Sequence, residues 1–118
     1  MKRRGNGKKA QTHTELVRNI IEFLDNTKAW ADKYHTGVWR GATGRPVRSC
    51  PTGHPDIMAR VKPGKRGDHG RVVWIEAKVG KDTLSAAQLE WKRKALMHGD
   101  IFIEARSVDD VIKTWGAK

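Results

Sequence analysis

Arg71-Val72-Val73-Trp74-Ile75-Glu76-Ala77-Lys78-Val79, bracketed by Gly70 and Gly80, reads as a β-strand because β-branched and aromatic side chains dominate it. Side chains of a strand alternate between faces, so Val73, Ile75, Ala77 and Val79 share an apolar face. Trp74, Glu76 and Lys78 share the other. An acid and a base two residues apart on one face of an apolar strand allow two readings. One is an edge strand carrying a solvated Glu/Lys ladder. The other is a pair taken out of water, which needs a further partner to hold its charge.

The stretch upstream bears on that choice. Gly53-His54-Pro55 marks a turn, and Asp56-Ile57-Met58-Ala59-Arg60-Val61 continues as a second strand. Asp56, Met58 and Arg60 face one way and Ile57, Ala59 and Val61 the other. Lys62 to Gly70, rich in glycine and cations, reads as the hairpin loop between the strands. Neighbouring strands lie only about 4.8 Å apart. A register that sets Asp56 across from Glu76 therefore brings two carboxylates together with Lys78 beside them. Two hard oxygen donors with open positions around them suit Mg²⁺, which keeps several waters and accepts phosphate oxygens as further ligands. Such a metal polarises a phosphodiester and lowers the pKa of a bound water, while a lysine steadies developing negative charge.

The 118 residues allow one hydrophobic core. The formal net charge of +11 points to an acidic polymer as partner. No apolar run approaches the roughly 20 residues of a transmembrane helix, and no signal-peptide core follows the basic start. A membrane partner is not expected, nor is a small-molecule cofactor. Cys50 is the only cysteine, which excludes an intrachain disulfide and gives a reducing, intracellular compartment as the expectation. Cys50 and His54 are spaced like half a zinc site, but no second pair follows, and neither is assigned a role.

Residues 1–11 carry Lys2, Arg3, Arg4, Lys8 and Lys9 among glycines without apolar periodicity, which reads as a disordered basic arm, either touching phosphate or simply solvated. Thr12-His13-Thr14-Glu15 fits a capping box, and Leu16, Val17, Ile20, Ile21 and Leu24 recur at helical spacing to about Asn26. The spacing makes Glu15 a cap. Between Trp30 and Cys50 only a short strand at Gly37–Arg40 and a glycine-rich turn at Gly41–Pro46 are legible. Trp39 fits the core better than a base stack. Arg40, Arg45 and Arg48 are phosphate-facing candidates or solvated loop charges, as are Lys65, Arg66 and Lys81. Ser85 and Gln88 form a second capping box, with Leu84 and Leu89 placed as its hydrophobic staple. That helix runs through Trp91, Ala95 and Leu96 to His98, and Gly99 supplies its C-cap. Gln88 has a cap role and, from the same first turn, a second possible role as donor to a phosphate or attacking water. Ile101–Ala105 is a strand reached through a crossover helix, so it pairs in parallel with the Glu/Lys strand. Ser107 opens a final helix with Val111, Ile112 and Trp115 on it. The order is helix, three strands, helix, strand, helix.

Pro55-Asp56, a hairpin, then Glu76-Ala77-Lys78 resembles the signature of the PD-(D/E)xK nucleases. With Glu15 on the first helix, Gly53-His54 before Pro55, Ser85-x-x-Gln88 and Trp91 following, and Gly99 before the last strand, the chain resembles a stand-alone, phage-type virus-type replication-repair nuclease domain (VRR-NUC) over Glu15 to Trp115. The resemblance implies an α/β fold with a restriction-endonuclease-like core, a mixed β-sheet flanked by helices, occupying residues 12–118. It implies Asp56, Glu76 and the Ala77 carbonyl as ligands of Mg²⁺ or Mn²⁺. Lys78 then orients the nucleophilic water or stabilises the transition state, with Glu15 and Gln88 as accessory active-site residues. The function expected is a structure-specific endodeoxyribonuclease on branched DNA, foremost a Holliday-junction resolvase acting as a homodimer in a host-cell cytoplasm. A flap or fork nuclease acting as a monomer, a catalytically silent basic binding domain and an RNA-processing nuclease are the alternatives.

Overall fold

The computed structural model describes residues 11–27, 29–34, 38–40, 42–48, 50–62 and 70–116. The basic arm up to residue 10 and the hairpin residues 63–69 with Lys65 and Arg66 lie outside the described residues. So do the side chains of Trp39, Arg40 and Arg48. The chain is α/β. Helix α1 (His13–Asn26) is followed by β1 (Trp30–Lys33), β2 (Val38–Arg40), β3 (Pro46–Arg48), β4 (Ile57–Val61) and β5 (Arg71–Ala77). Helix α2 (Ala86–Met97), β6 (Ile101–Ala105) and α3 (Val108–Gly116) complete it. A four-stranded mixed sheet runs β1-β4-β5-β6, antiparallel except for the β5–β6 pair, while β2 and β3 form a separate hairpin.

The helix, three-strand, helix, strand, helix order thus holds for the central sheet, but its first strand is not the one expected. The expected strand at Gly37–Arg40 has its described part, Val38–Arg40, in the separate hairpin, and Trp30–Lys33 takes the place beside β4. The reason lies in the burial of β1, where Trp30 is 65% exposed and Asp32 and Lys33 are exposed too. An edge strand whose one inward side chain is the half-buried Ala31 leaves too little apolar alternation to read.

Residues paired directly across neighbouring strands share a face. On one face, Ile57, Ala59, Val73, Ile75, Ala77, Ile103 and Ala105 are buried against Leu16, Val17, Ile20 and Leu24 of α1 and Val111 of α3. Fully burying a side chain of the Val, Leu or Ile kind contributes ~1.5–3 kcal/mol, so this face holds the fold together. The other face carries Trp30, Arg60 and Val72 in one row, and Asp32, Met58, Trp74 and Phe102 in the next. Continuing the β4–β5 register one step beyond Ile57 and Ile75 puts Asp56 across from Glu76. Helix α2 covers this second face near β6, through Trp91 against Trp74 with centroids 5.4 Å apart.

Both expected capping boxes form, at Thr12 and Glu15 and at Ser85 and Gln88. Helix α2 ends one residue earlier than expected, in a Schellman arrangement: Asp100 N–H donates to the Ala95 carbonyl, and Gly99, at φ +84, donates to Leu96. Leu96 points away from the core, with 53% of its surface exposed, and Leu89 is similarly exposed; Ala95 is the buried residue of that helix. Strand β5 stops at Ala77, leaving Lys78 and Val79 just beyond it, although Lys78 N–H still donates to the Ala105 carbonyl at 2.9 Å. Among the described residues no helix is long and apolar enough to cross a membrane.

Candidate active site

Two carboxylates lie buried at one end of the sheet, Asp56 with 5% of its surface exposed and Glu76 with 4%. Asp56 stands where the chain leaves the Gly53-His54-Pro55 turn and enters β4. The turn is fixed by a close approach: Gly53 has φ +86, and a Cβ there would lie 2.5 Å from the carbonyl oxygen of Ala87 in the first turn of α2. Only glycine tolerates both the backbone angle and the contact. Asp56 Oδ2 accepts from the Ala77 N–H at 2.9 Å and from His13 Nε2 at 3.1 Å. One carboxylate oxygen thus ties the start of β4 to the end of β5 and to the first turn of α1.

Glu76 is held from the other side. Its Oε2 accepts from Gln88 Nε2 at 3.0 Å and lies 3.5 Å from Lys78 Nζ, on a lysine side chain only 14% exposed. Its Oε1 is, among the described residues, the one buried side-chain polar atom without a hydrogen-bond partner. Burial first and the adjacent Asp56 carboxylate next raise the Glu76 pKa from 4.5 to about 7, against the opposing charge of Lys78. A buried, unsatisfied carboxylate oxygen is costly unless a proton or a cation sits on it.

That chemistry suits a hard divalent cation. Among the described residues no three His, Cys, Asp or Glu side chains are grouped to hold a metal. Two carboxylates with a backbone carbonyl are nevertheless a sufficient protein share for Mg²⁺, which retains waters. Asp56, Glu76 and Ala77 are adjacent here, and the orphaned Oε1 is the atom a cation would satisfy. Glu104 is next on the row after Glu76, but its Oε2 is engaged by Arg106 at 2.9 Å.

Gln88 forms the cap and at the same time reaches Glu76, rather than leaving its amide donor open. Its backbone N–H donates to Ser85 Oγ and its Oε1 accepts from the Ser85 N–H, while Nε2 remains for Glu76. Glu15 is engaged differently: Oε1 accepts from the backbone and hydroxyl of Thr12, and these bonds hold its carboxyl below the ordinary value. The residue of α1 that reaches the carboxylates is His13. Sequence reasoning missed it, since the contact spans 43 residues. The signal available was the capping box, which places His13 first in the helix, at its projecting end.

His54, assigned no role above, donates from Nδ1 to the Pro55 carbonyl at 2.7 Å. Its ring packs on Tyr34, Trp91 and Trp74, with centroids 4.6, 4.9 and 5.8 Å away. This aromatic cluster flanks the carboxylates, and Trp74 Nε1 is anchored on Asp100. Arg106, also unforeseen, donates to the carbonyls of Gly80 and Asp82 and so fastens the loop bearing exposed Lys81. Arg45 is exposed. On α2 Arg93 pairs with Glu90 through two short hydrogen bonds, a solvated pair rather than a free cation. No family model matches the chain, and no solved structure matches it.

Proposed function

We propose that the chain is a divalent-metal-dependent endodeoxyribonuclease that hydrolyses phosphodiester bonds in branched DNA. The observation that carries this is the buried Asp56–Glu76 pair with one oxygen left unsatisfied and Lys78 alongside. Asp56, Glu76 and the Ala77 carbonyl would hold Mg²⁺ or Mn²⁺. Bound there, the ion supplies Lewis acidity toward the phosphate and a water of lowered pKa. The residues do the rest. Ala77 N–H and His13 fix the rotamer of Asp56, and Gln88 fixes that of Glu76. Lys78 Nζ is positioned to offset the negative charge that grows on the phosphate oxygens as water adds to phosphorus. The attacking water would give up its proton to solvent, the ester P–O bond would break, and the departing alkoxide would take a proton from solvent. The net charge of +11 supports a polyanionic substrate.

A four-way junction has approximate two-fold symmetry and is resolved by two opposed cuts. Among the described residues one chain carries one such carboxylate pair, so the resolvase reading calls for a homodimer. Action on flaps or forks by a monomer is the second reading, favoured by the exposed Trp30 on the same sheet face as the carboxylates. The test of the common chemistry is cleavage of branched DNA in Mg²⁺, Ca²⁺ and chelator, with Lys78→Ala alongside. We expect cutting in Mg²⁺ only, and in the variant a loss of cutting with binding nearly intact. Full activity in chelator contradicts the reading.

A further inference from the structure

The second face of the sheet has a feature that the carboxylate chemistry does not use. Trp30, on edge strand β1, is 65% exposed, an unusual state for the largest apolar side chain in a protein. The Arg60 guanidinium lies over its ring, 5.4 Å from the centroid. Together with Lys62 and Val72 they line a cavity of about 440 Å³. That volume is ample for a nucleobase. In the sheet register Trp30 pairs with Arg60 and Arg60 with Val72, so this row lies on the same face as Asp56 and Glu76. Four residues of strand separate the two rows, roughly 13–14 Å at the rise of an antiparallel strand. An extended nucleic-acid strand crosses that distance in about two nucleotides.

We propose that this row is a stacking site for an unpaired nucleotide of the strand being cut, about two nucleotides from the scissile phosphate. The distance to the scissile phosphate rests on the nuclease reading; the stacking itself does not. Three observations point to an unpaired strand as the occupant. The exposed indole offers a π-face, which every base can use and which a base inside a duplex cannot reach. Arg60 and Lys62 place positive charge beside it, as a phosphate backbone needs. The face is continuous with the carboxylates along the same strands. At a branch point the nucleotides next to the cut are those most readily unstacked, so the site would select branched DNA over plain duplex without reading sequence.

The experiment is an anisotropy titration in chelator, where cutting is suppressed. The full chain and its Trp30→Ala, Trp30→Phe and Arg60→Ala variants are titrated into a labelled fork with unpaired thymidine arms and into a fully paired duplex of equal length. Trp30 and Arg60 are exposed, so these variants are expected to keep the fold. Trp30→Ala should weaken fork binding roughly tenfold and leave duplex binding within about twofold, with Trp30→Phe keeping most of the fork preference. Equal loss on both substrates, or no loss on either, overturns the proposal. So does sedimentation of the parent as a dimer that Trp30→Ala dissociates, which would assign the face to a second copy of the chain. Mg²⁺-dependent cleavage is run in parallel with Asp56→Ala. Cutting abolished by Asp56→Ala with fork binding indifferent to Trp30→Ala leaves the nuclease and removes the stacking site. Fork binding that depends on Trp30 without any cutting removes the nuclease and leaves the stacking site.

Discussion

Burial and the neighbouring Asp56 raise the pKa of Glu76 to about 7, so near neutral pH the group is divided between a proton and a charge. A divalent ion and that proton compete for the same oxygens. At sub-saturating Mg²⁺, cleavage should therefore climb as pH rises through about 7 and level off above it. A rate that is flat across this window would separate Glu76 from the metal. The sign for stability is the reverse. The folded pKa lies above the ordinary 4.5, so the folded state holds the extra proton between the two values and loses stability as pH rises from 4.5 to about 7. Glu76→Gln removes that loss. In urea denaturation with chelator present, the variant should exceed the parent by ~1–2 kcal/mol above pH 7, after allowance for solvent screening. Below pH 4.5, where the parent is protonated too, the difference should vanish. A variant less stable than the parent at both pH values contradicts this account. Asp56, Glu76 and Lys78 were legible in the sequence because strand alternation with a hairpin between them sets their faces. His13 was not, since a side chain at a helix start leaves no periodic trace of what it touches.

Gln88 shows how one element can serve stability and site together, because the capping box fixes the same amide that holds Glu76. The two functions can be separated. Ser85→Ala removes the cap and should cost about 1 kcal/mol of stability while changing cutting little. Gln88→Glu keeps an acceptor for the Ser85 N–H but replaces the donor to Glu76 by a carboxylate. Cutting should fall at least roughly tenfold, where Ser85→Ala leaves it nearly unchanged, and stability should fall as well, a like charge beside Glu76 costing more than one pKa unit's worth of energy. Equal effects of the two substitutions on cutting would reduce Gln88 to a cap. The same scale explains what was legible of the fold. Helix α1 and strands β4 and β5 bury one face each, and that burial is written as periodicity. Strand β1 leaves Trp30, Asp32 and Lys33 exposed, and between Trp30 and Cys50 the sequence accordingly shows only Gly37–Arg40 as a strand.

For the molecule as a whole, the charge of +11 and the site at the sheet end make different contributions. Affinity comes from many phosphate contacts, chemistry from the few residues around Asp56 and Glu76. Binding of any DNA should weaken steeply with salt, by a slope of about 0.9 in log–log terms for each phosphate neutralised. Asp56→Ala should leave that slope unchanged, and a flat salt response of the parent would remove nucleic acid as the partner. The face bearing Trp30 and Arg60 likewise depends on the assembled sheet. It becomes visible only once β1 is placed beside β4, and so could not be read before the register was known.

The most direct measurement is cleavage of a synthetic, immobile four-way DNA junction in Mg²⁺, with matched flap, fork and linear duplexes and with Asp56→Ala as control. Metal-dependent cuts are expected in branched substrates, little in linear duplex, and none with Asp56→Ala; paired symmetric cuts in the junction would add the dimeric resolvase. Absence of metal-dependent cutting in every branched substrate, or cutting that survives Asp56→Ala, would contradict the nuclease reading.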